Sequence, residues 1–151
     1  MRIGLISCSK KKLDHAAEAQ DLYIGDLFKL SRAWIEKRTD IWAILSAQHG
    51  LLLPFQVIEP YDLALKDLPA VHRERWADLV YDQLMERWGD NNIYTILAGA
   101  EYRAAVRKMP HVEDVIGHWT QQRRDRGMSS RRASIGIGLL KKFLKEDKGY
   151  Y

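Results

Sequence analysis

Residues 41–52 read Ile41-Trp42-Ala43-Ile44-Leu45 and then Ser46-Ala47-Gln48-His49-Gly50-Leu51-Leu52. The apolar start has the length and composition of a buried strand, and it predicts a strand over Ile41–Ala47. The chain then runs to Asp62 through two prolines and a glycine, which excludes the start of a helix there. Connections between a strand and a helix usually span about 2–6 residues, and longer ones are usually functional. The stretch Ser46–Asp62 is therefore the first candidate for a functional site.

Three more segments share the apolar or β-branched composition of a strand. They predict strands over Arg2–Cys8, Asn92–Ala98 and, as a short fourth strand, Val112–Ile116. Apolar residues at helical spacing predict helices over Glu18–Arg38, Val71–Trp88, Ala100–Met109 and Ile135–Leu144.

The segment Val71–Trp88 has the strongest helical pattern. Gly89 follows it at the position where a helix ends. The predicted buried face holds five apolar residues: Trp76, Leu79, Val80, Leu84 and Trp88. Strands that alternate with helices imply parallel pairing and right-handed crossovers. The predicted fold class is α/β, a three-layer α/β/α sandwich around a mainly parallel sheet, in a single domain over residues 1–151.

The composition narrows the class of protein. Of the 151 residues, 46% are hydrophobic and 29% are charged, which is typical of a soluble globular protein. No apolar run approaches the roughly 20 residues that cross a bilayer. Cys8 is the single cysteine, and no Cys/His spacing typical of zinc occurs. We expect a cytoplasmic protein without a metal, another cofactor or a membrane partner.

Positive charge is concentrated in two clusters, although the net charge is only +4. The first cluster is Lys10-Lys11-Lys12, and the second comprises Arg123, Arg124, Arg126, Arg131 and Arg132. A single cluster of this kind is typical of solvated surface. Two clusters beside a candidate site favour a polyanionic partner, and Lys11, Lys12 and the five arginines are predicted to contact a nucleic-acid backbone.

The carboxyl ends of parallel strands meet at one edge of a sheet, so three loops are expected to converge there. They are Cys8-Ser9-Lys10, Ser46–Asp62 and Gly99-Ala100-Glu101-Tyr102. Ser9 and Lys10 suit a phosphate or a carboxylate, whereas Cys8 is better explained as a small residue at a strand end than as a nucleophile.

The loop Ser46–Asp62 carries the candidate chemistry. Pro60 fixes its own φ and favours an extended Glu59, so the carboxylates of Glu59 and Asp62 sit on defined backbone. A carboxylate held in this way can activate water or stabilise an oxocarbenium ion. Each polar residue also has a structural alternative. Ser46 can cap the turn, His49 can be a structural hydrogen-bonding group, and Asp62 can cap the next turn while Tyr61 covers the edge of the core.

The third loop, Gly99–Tyr102, is rich in small residues, so a ligand could approach the backbone at a helix start. The dinucleotide motif GxGxxG and the Walker motif GxxxxGK[ST] are both absent from the sequence. Hydrolysis of nucleoside triphosphates is therefore disfavoured.

The motifs resemble those of a broad group of bacterial and phage proteins of poorly defined function. The shared features are Cys8-Ser9-Lys10, Ser46-Ala47-Gln48-His49-Gly50-Leu51 and Pro60-Tyr61-Asp62. The middle motif is also similar to that of YaaA-type peroxide-stress proteins, a DNA-binding family, which favour Tyr-Gly at His49-Gly50 and Arg at Asp62. Similar domains are associated with DNA-base modification and with DNA glycosylases of phage defence. The resemblance implies a role directed at DNA or its bases.

These observations favour an enzyme that hydrolyses the N-glycosidic bond of a modified or damaged base in DNA. Asp62, Glu59 and His49 are the candidate catalytic residues, and Tyr61 and Tyr102 could stack on a flipped base. The predicted substrate-binding residues are Ser9, Lys10, Ser46, Gln48, Gly50, Tyr61, Gly99, Glu101 and Tyr102. Two alternatives stay open: a non-catalytic DNA-binding stress or repair protein, and an enzyme acting on a free nucleoside or nucleotide.

Overall fold

The computed structural model of the protein describes residues 1–116, 121, 125 and 142–144. Its strands, in chain order, are β1 (Arg2–Ser7), β2 (Ala17–Glu18), β3 (Ile41–Ser46), β4 (Gly50–Leu52), β5 (Val57–Ile58), β6 (Ile93–Leu97) and β7 (Val112–Asp114). Its helices are α1 (Ala19–Leu22), α2 (Asp26–Glu36), α3 (Ala70–Arg87) and α4 (Ala100–Arg103), with 3-10 turns at Leu65–Asp67 and Ala104–Val106.

The main sheet has the strand order β4-β3-β1-β6-β7. Strands β3, β1, β6 and β7 are parallel to one another, and β4 alone pairs antiparallel, on the outer side of β3. The short strands β2 and β5 form a separate antiparallel pair. The prediction of an α/β sandwich around a mainly parallel sheet is confirmed.

Alternate residues of β1 supply two cores, one on each face of the sheet. Ile3 and Leu5 pack in a cluster with Trp76, Val80 and Leu84 of α3. Ile6 packs on the other face with residues of α1 and α2, among them Leu22, Phe28 and Ile35. A central strand buried on both faces is typical of a parallel sheet with helices on either side.

The predicted helix over Glu18–Arg38 is wrong in its extent. Residue Glu18 belongs to β2, and the helical segment breaks at Tyr23 and Gly25, which both have extended backbone. The cause is tertiary, because Tyr23 forms an antiparallel bridge with Lys12 and the N–H of Ile24 donates to the carbonyl of Lys11 at 3.0 Å. The loop after β1 is thus hydrogen-bonded to backbone groups near Tyr23 that would form intrahelical hydrogen bonds in a continuous helix.

The long connection after β3 contains a hairpin that the sequence pattern did not predict. Residue Ser46 is paired with Gly50, and Leu45 with Leu51, so β4 folds straight back on β3. Gly50 has φ +71°, a left-handed conformation that favours glycine.

The helix predicted over Val71–Trp88 is confirmed as α3, and Gly89 follows it with φ +72°. Leu79 was wrongly assigned to the buried face, since it is 51% exposed.

The helix predicted over Ala100–Met109 is present as α4 followed by the 3-10 turn. Of Ile135–Leu144 only residues 142–144 are described, and they are helical. None of the described helices is both long and apolar enough to cross a bilayer.

Candidate functional site

The three predicted loops do meet at one edge of the sheet, since β1 lies between β3 and β6 and is parallel to both. The N–H of Cys8 donates to the carbonyl of Leu45 at 3.0 Å, which joins the ends of β1 and β3. The Sγ of Cys8 lies 3.4 Å from the hydroxyl of Tyr102, which joins the ends of β1 and β6. The α/β alternation therefore places these loops as predicted.

A cavity of about 610 Å³ opens at this edge. Its walls come from the loop after β1, the start of α2, the chain from Asp62 to Asp67, and the start of α4 with Gly99. Small-molecule sites commonly occupy about 300–1,000 Å³, so this volume suits a ligand of nucleotide size.

The loop after β1 gives the cavity three lysines with different surroundings. Lys10 and Lys11 are exposed, whereas Lys12 is half-buried. The Nζ of Lys12 lies 4.4 Å from the centroid of the Tyr61 ring and 5.7 Å from that of Tyr23. Burial lowers the pKa of Lys12, and the negative charges that Cys8 and Asp62 can carry oppose this shift.

The start of α2 forms a second wall. Gly25 packs so closely on Ser9 that a Cβ added at Gly25 would lie 3.1 Å from the Cβ of Ser9. The N-cap residue of α2, Gly25, has no side chain that could cap the helix, and the first backbone N–H groups of a helix have no intrahelical acceptor. The first turn of α2 lines the cavity. Such groups favour an anion, and the first turn of the helix already carries one acidic residue, Asp26.

Acidic side chains balance the lysines around the cavity. In the part of the chain that the structure describes, the basic lining residues are Lys10, Lys11, Lys12 and Lys66, and the acidic ones are Asp26, Asp62, Asp67 and Glu101. Asp62 is exposed and Glu101 is half-buried. No group of three or more His, Cys, Asp or Glu side chains is placed to hold a metal ion within the described residues.

Tyr102 brings an aromatic ring to the cavity. Its ring meets that of Trp76 edge-on, with centroids 5.4 Å apart and planes at 90°. Burial raises the pKa of the Tyr102 hydroxyl, so it stays protonated at neutral pH. It can therefore donate a hydrogen bond but cannot serve as a base.

Behind the cavity, three hydroxyl side chains form what we call the hydroxyl cluster: Ser46, Tyr61 and Tyr23. The Tyr61 hydroxyl lies 2.6 Å from the Oγ of Ser46 and 2.7 Å from the Tyr23 hydroxyl. The N–H of His49 donates to the Oγ of Ser46 at 3.1 Å. Burial raises the pKa of Tyr23 to about 12 and that of Tyr61 further, so both hydroxyls are neutral at neutral pH.

Residues 3–128 of this sequence match a protein family that is described as a family of unknown function, DUF6884. The chain belongs to this family. Apart from Arg2, the first residue of β1, the match covers the described strands and the cavity walls described above. No curated protein matches the chain.

In this DUF6884 protein, the cavity brings together eight of the predicted site residues. They are Ser9, Lys10, Lys11, Lys12, Asp62, Gly99, Glu101 and Tyr102. Cys8 also lines the cavity, and it is half-buried at the end of β1.

Six other predicted residues do not line the cavity: Ser46, Gln48, His49, Gly50, Glu59 and Tyr61. Gln48 and Glu59 are exposed on the surface. The His49 ring packs edge-on against Tyr61 with centroids 5.4 Å apart, and its buried Nε2 has no hydrogen-bond partner among the described residues. Gly50 turns the chain into β4 beside the Gln83 side chain.

Five predicted backbone contacts, Arg123, Arg124, Arg126, Arg131 and Arg132, lie outside the described residues. Conversely, the sequence interpretation missed the start of α2 and the acidic Asp67. Gly25, just after Tyr23, was the available signal for α2, because a glycine within an apolar helical pattern marks a possible break.

Proposed function

We propose that this protein hydrolyses the N-glycosidic bond of a modified or damaged base in DNA, with the cavity at the sheet edge as its active site. The observation that carries the proposal is the position of Asp62. Of the two carboxylates that flank Pro60-Tyr61, only Asp62 lines the cavity, together with the lysines of the β1 loop and Tyr102. This places an acidic group, cations and an aromatic ring around one space.

The chemistry needs a negative group close to the sugar, because positive charge builds there as the glycosidic bond breaks. The carboxylate of Asp62 would stabilise that charge or activate the attacking water. The neutral hydroxyl of Tyr102 would donate to the base, and Lys10 and Lys11 would contact phosphates. His49 and Glu59 have no part in this chemistry, since neither lines the cavity. A cytoplasmic location belongs to the same proposal and is supported by the free thiol of Cys8.

One observation favours a second candidate, an enzyme acting on a free nucleoside or nucleotide. Among the described lining residues, four lysines are matched by four acidic residues, and a balanced wall attracts a long polyanion less than a positive one does. The cavity volume also suits a single nucleotide. The two candidates differ in whether a free nucleoside is sufficient as substrate.

The experiment is incubation with DNAs that carry different modified bases, followed by mass spectrometry of the released base. With an active DNA, Asp62→Asn should lower the turnover rate by about 10²–10³-fold while DNA affinity is retained, because the charge acts in the transition state. Glu59→Gln is the matched control from the same loop, and its rate should stay within about twofold of wild type because exposed groups away from the site contribute little.

Several outcomes would contradict the proposal. Full activity of Asp62→Asn would remove the carboxylate from the mechanism, and loss of activity only in Glu59→Gln would transfer the role to Glu59. A collapse of the melting temperature in Asp62→Asn would identify Asp62 as a turn cap. DNA binding without base release from any substrate would support the non-catalytic binder, and release from free nucleosides alone would support the second candidate.

A further inference from the structure

Among the lysines of the β1 loop, Lys12 is the one that turns inward. Its side chain is half-buried on the cavity wall, whereas Lys10 and Lys11 are exposed. The Nζ of Lys12 donates to the carbonyl of Lys10 at 3.1 Å and lies over the Tyr61 ring. The amine is therefore held between the cavity and the hydroxyl cluster.

The backbone around Lys12 is held as firmly as its side chain. Lys12 forms the antiparallel bridge with Tyr23. On either side of it, the N–H of Ile24 donates to the carbonyl of Lys11 at 3.0 Å, and the N–H of Leu13 donates to that of Leu22 at 2.9 Å. A reacting group fixed in this way has already lost much of the entropy that a reaction would otherwise cost.

A lysine nucleophile must also be neutral. Burial favours the neutral form of Lys12, because it lowers the pKa of the amine. Only the neutral amine can attack a carbonyl carbon. At neutral pH, each unit by which a lysine pKa falls raises the neutral fraction about tenfold. The negative charge of Asp62, which lines the same cavity, opposes this lowering of the Lys12 pKa but does not reverse it.

We propose that the ε-amino group of Lys12 forms an imine with an aldehyde in the cavity, the C1′ carbonyl of the ring-opened sugar that base removal leaves behind. This rests on the proposed glycosidic hydrolysis, which supplies the aldehyde. The lone pair of Nζ attacks C1′, and the carbonyl π electrons move to the oxygen. The carbon–nitrogen double bond then forms as this oxygen leaves as water, which carries two hydrogens from the amine.

The test supplies the aldehyde directly, so it does not depend on base release. The full chain is incubated with a single-stranded oligonucleotide that carries one preformed abasic site, in the presence of cyanoborohydride, which reduces an imine to a stable amine. Peptide mass mapping then locates the adduct. We expect at least about tenfold more adduct on Lys12 than on Lys10 or Lys11, because only Lys12 combines a fixed position with burial.

Lys12→Arg should abolish this adduct, and Lys12→Met provides a second variant that keeps the apolar stem in case the arginine disturbs folding. Circular dichroism melting confirms that the variants are folded. Lys29→Arg is the control, because Lys29 is an exposed lysine on α2 outside the cavity wall, and its adduct yield should equal that of wild type.

An adduct spread evenly over the lysines, an undiminished yield in a folded Lys12 variant, or no adduct at all would overturn the proposal. The proposed function fails separately. If no modified base is released from any DNA while Lys12 still captures the abasic aldehyde, the glycosidic hydrolysis is refuted and the reactivity of Lys12 stands.

Discussion

The hydroxyl cluster and the cavity wall lie at the same edge of the sheet, but their polar groups are satisfied in different ways. Ser46, Tyr61 and Tyr23 bond to one another, and Ser46 is completely buried. On the cavity wall, Lys10 and Asp62 are exposed instead. Buried hydroxyls that are bonded to one another stabilise and position a fold, whereas exposed charges around a cavity are available to a ligand.

This difference divides a single sequence motif between two roles. Pro60-Tyr61-Asp62 directs Tyr61 into the hydroxyl cluster and leaves Asp62 on the cavity wall. The two regions meet at Lys12, whose amine lies over the Tyr61 ring. Variants in the hydroxyl cluster should therefore change stability, and variants on the wall should change binding and turnover.

Ser46→Ala should have the largest effect on stability. The substitution removes the Oγ that accepts a hydrogen bond from the N–H of His49 and that is hydrogen-bonded to the Tyr61 hydroxyl. Losing these two hydrogen bonds should lower the free energy of unfolding by about 2–4 kcal/mol. Urea denaturation followed by circular dichroism measures this loss. Asp62→Asn should leave the unfolding free energy almost unchanged, and equal losses in the two variants would contradict the division of roles.

The alkaline stability of the protein should depend on Tyr23. Because the pKa of Tyr23 in the folded protein is about 12, above its ordinary value of 10.0, its contribution is fully present below pH 10. It is lost as the pH rises through 12, and it amounts to about 2–3 kcal/mol. Melting temperatures measured from neutral to strongly alkaline pH should fall less steeply for Tyr23→Phe than for wild type. Parallel pH curves for the two proteins would show that Tyr23 does not control this transition.

Two glycines with the same left-handed φ separate backbone strain from packing. Gly50 has φ +71° and Gly89 has φ +72°, but an added Cβ meets the Gln83 side chain at Gly50, whereas no described residue lies within 4 Å of one at Gly89. Gly89→Ala should cost about 1 kcal/mol from strain alone. Gly50→Ala should cost about 1–2 kcal/mol more, since it also displaces Gln83, whose Oε1 accepts from the N–H of Leu51 at 2.9 Å. Equal losses in urea denaturation would show that Gln83 moves aside freely.

The smallest effect is expected at the exposed lysines of the wall. If the protein binds DNA, the double substitution Lys10→Ala and Lys11→Ala should reduce the slope of log affinity against log salt by about 1.5, because two phosphate contacts are lost. Fluorescence anisotropy at several salt concentrations measures this slope, and the melting temperature should not change. An unchanged slope would show that these two lysines are ordinary solvated surface.

The sequence by itself determined the strands of the parallel sheet, the helix α3 with its end before Gly89, and the meeting of three loops at one edge. These features follow from local periodicity and from the rule that parallel strands present their ends on the same side. Asp62, Lys10 and Tyr102 were found in this way, because each follows closely on a predicted strand or lies in the long loop.

Only the tertiary structure decided which side chains of those loops face the cavity. The hairpin of β3 and β4 takes Ser46 and His49 away from it, and the bridge between Lys12 and Tyr23 breaks the helix predicted over Glu18–Arg38. The hydrophobic periodicity of a segment indicates which of its faces is buried. It does not specify which distant residue will form a hydrogen bond with a given backbone N–H or hydroxyl group. Those long-range bonds turn Lys12 inward and leave Lys10 and Lys11 in solvent, and no local pattern in three successive lysines distinguishes them.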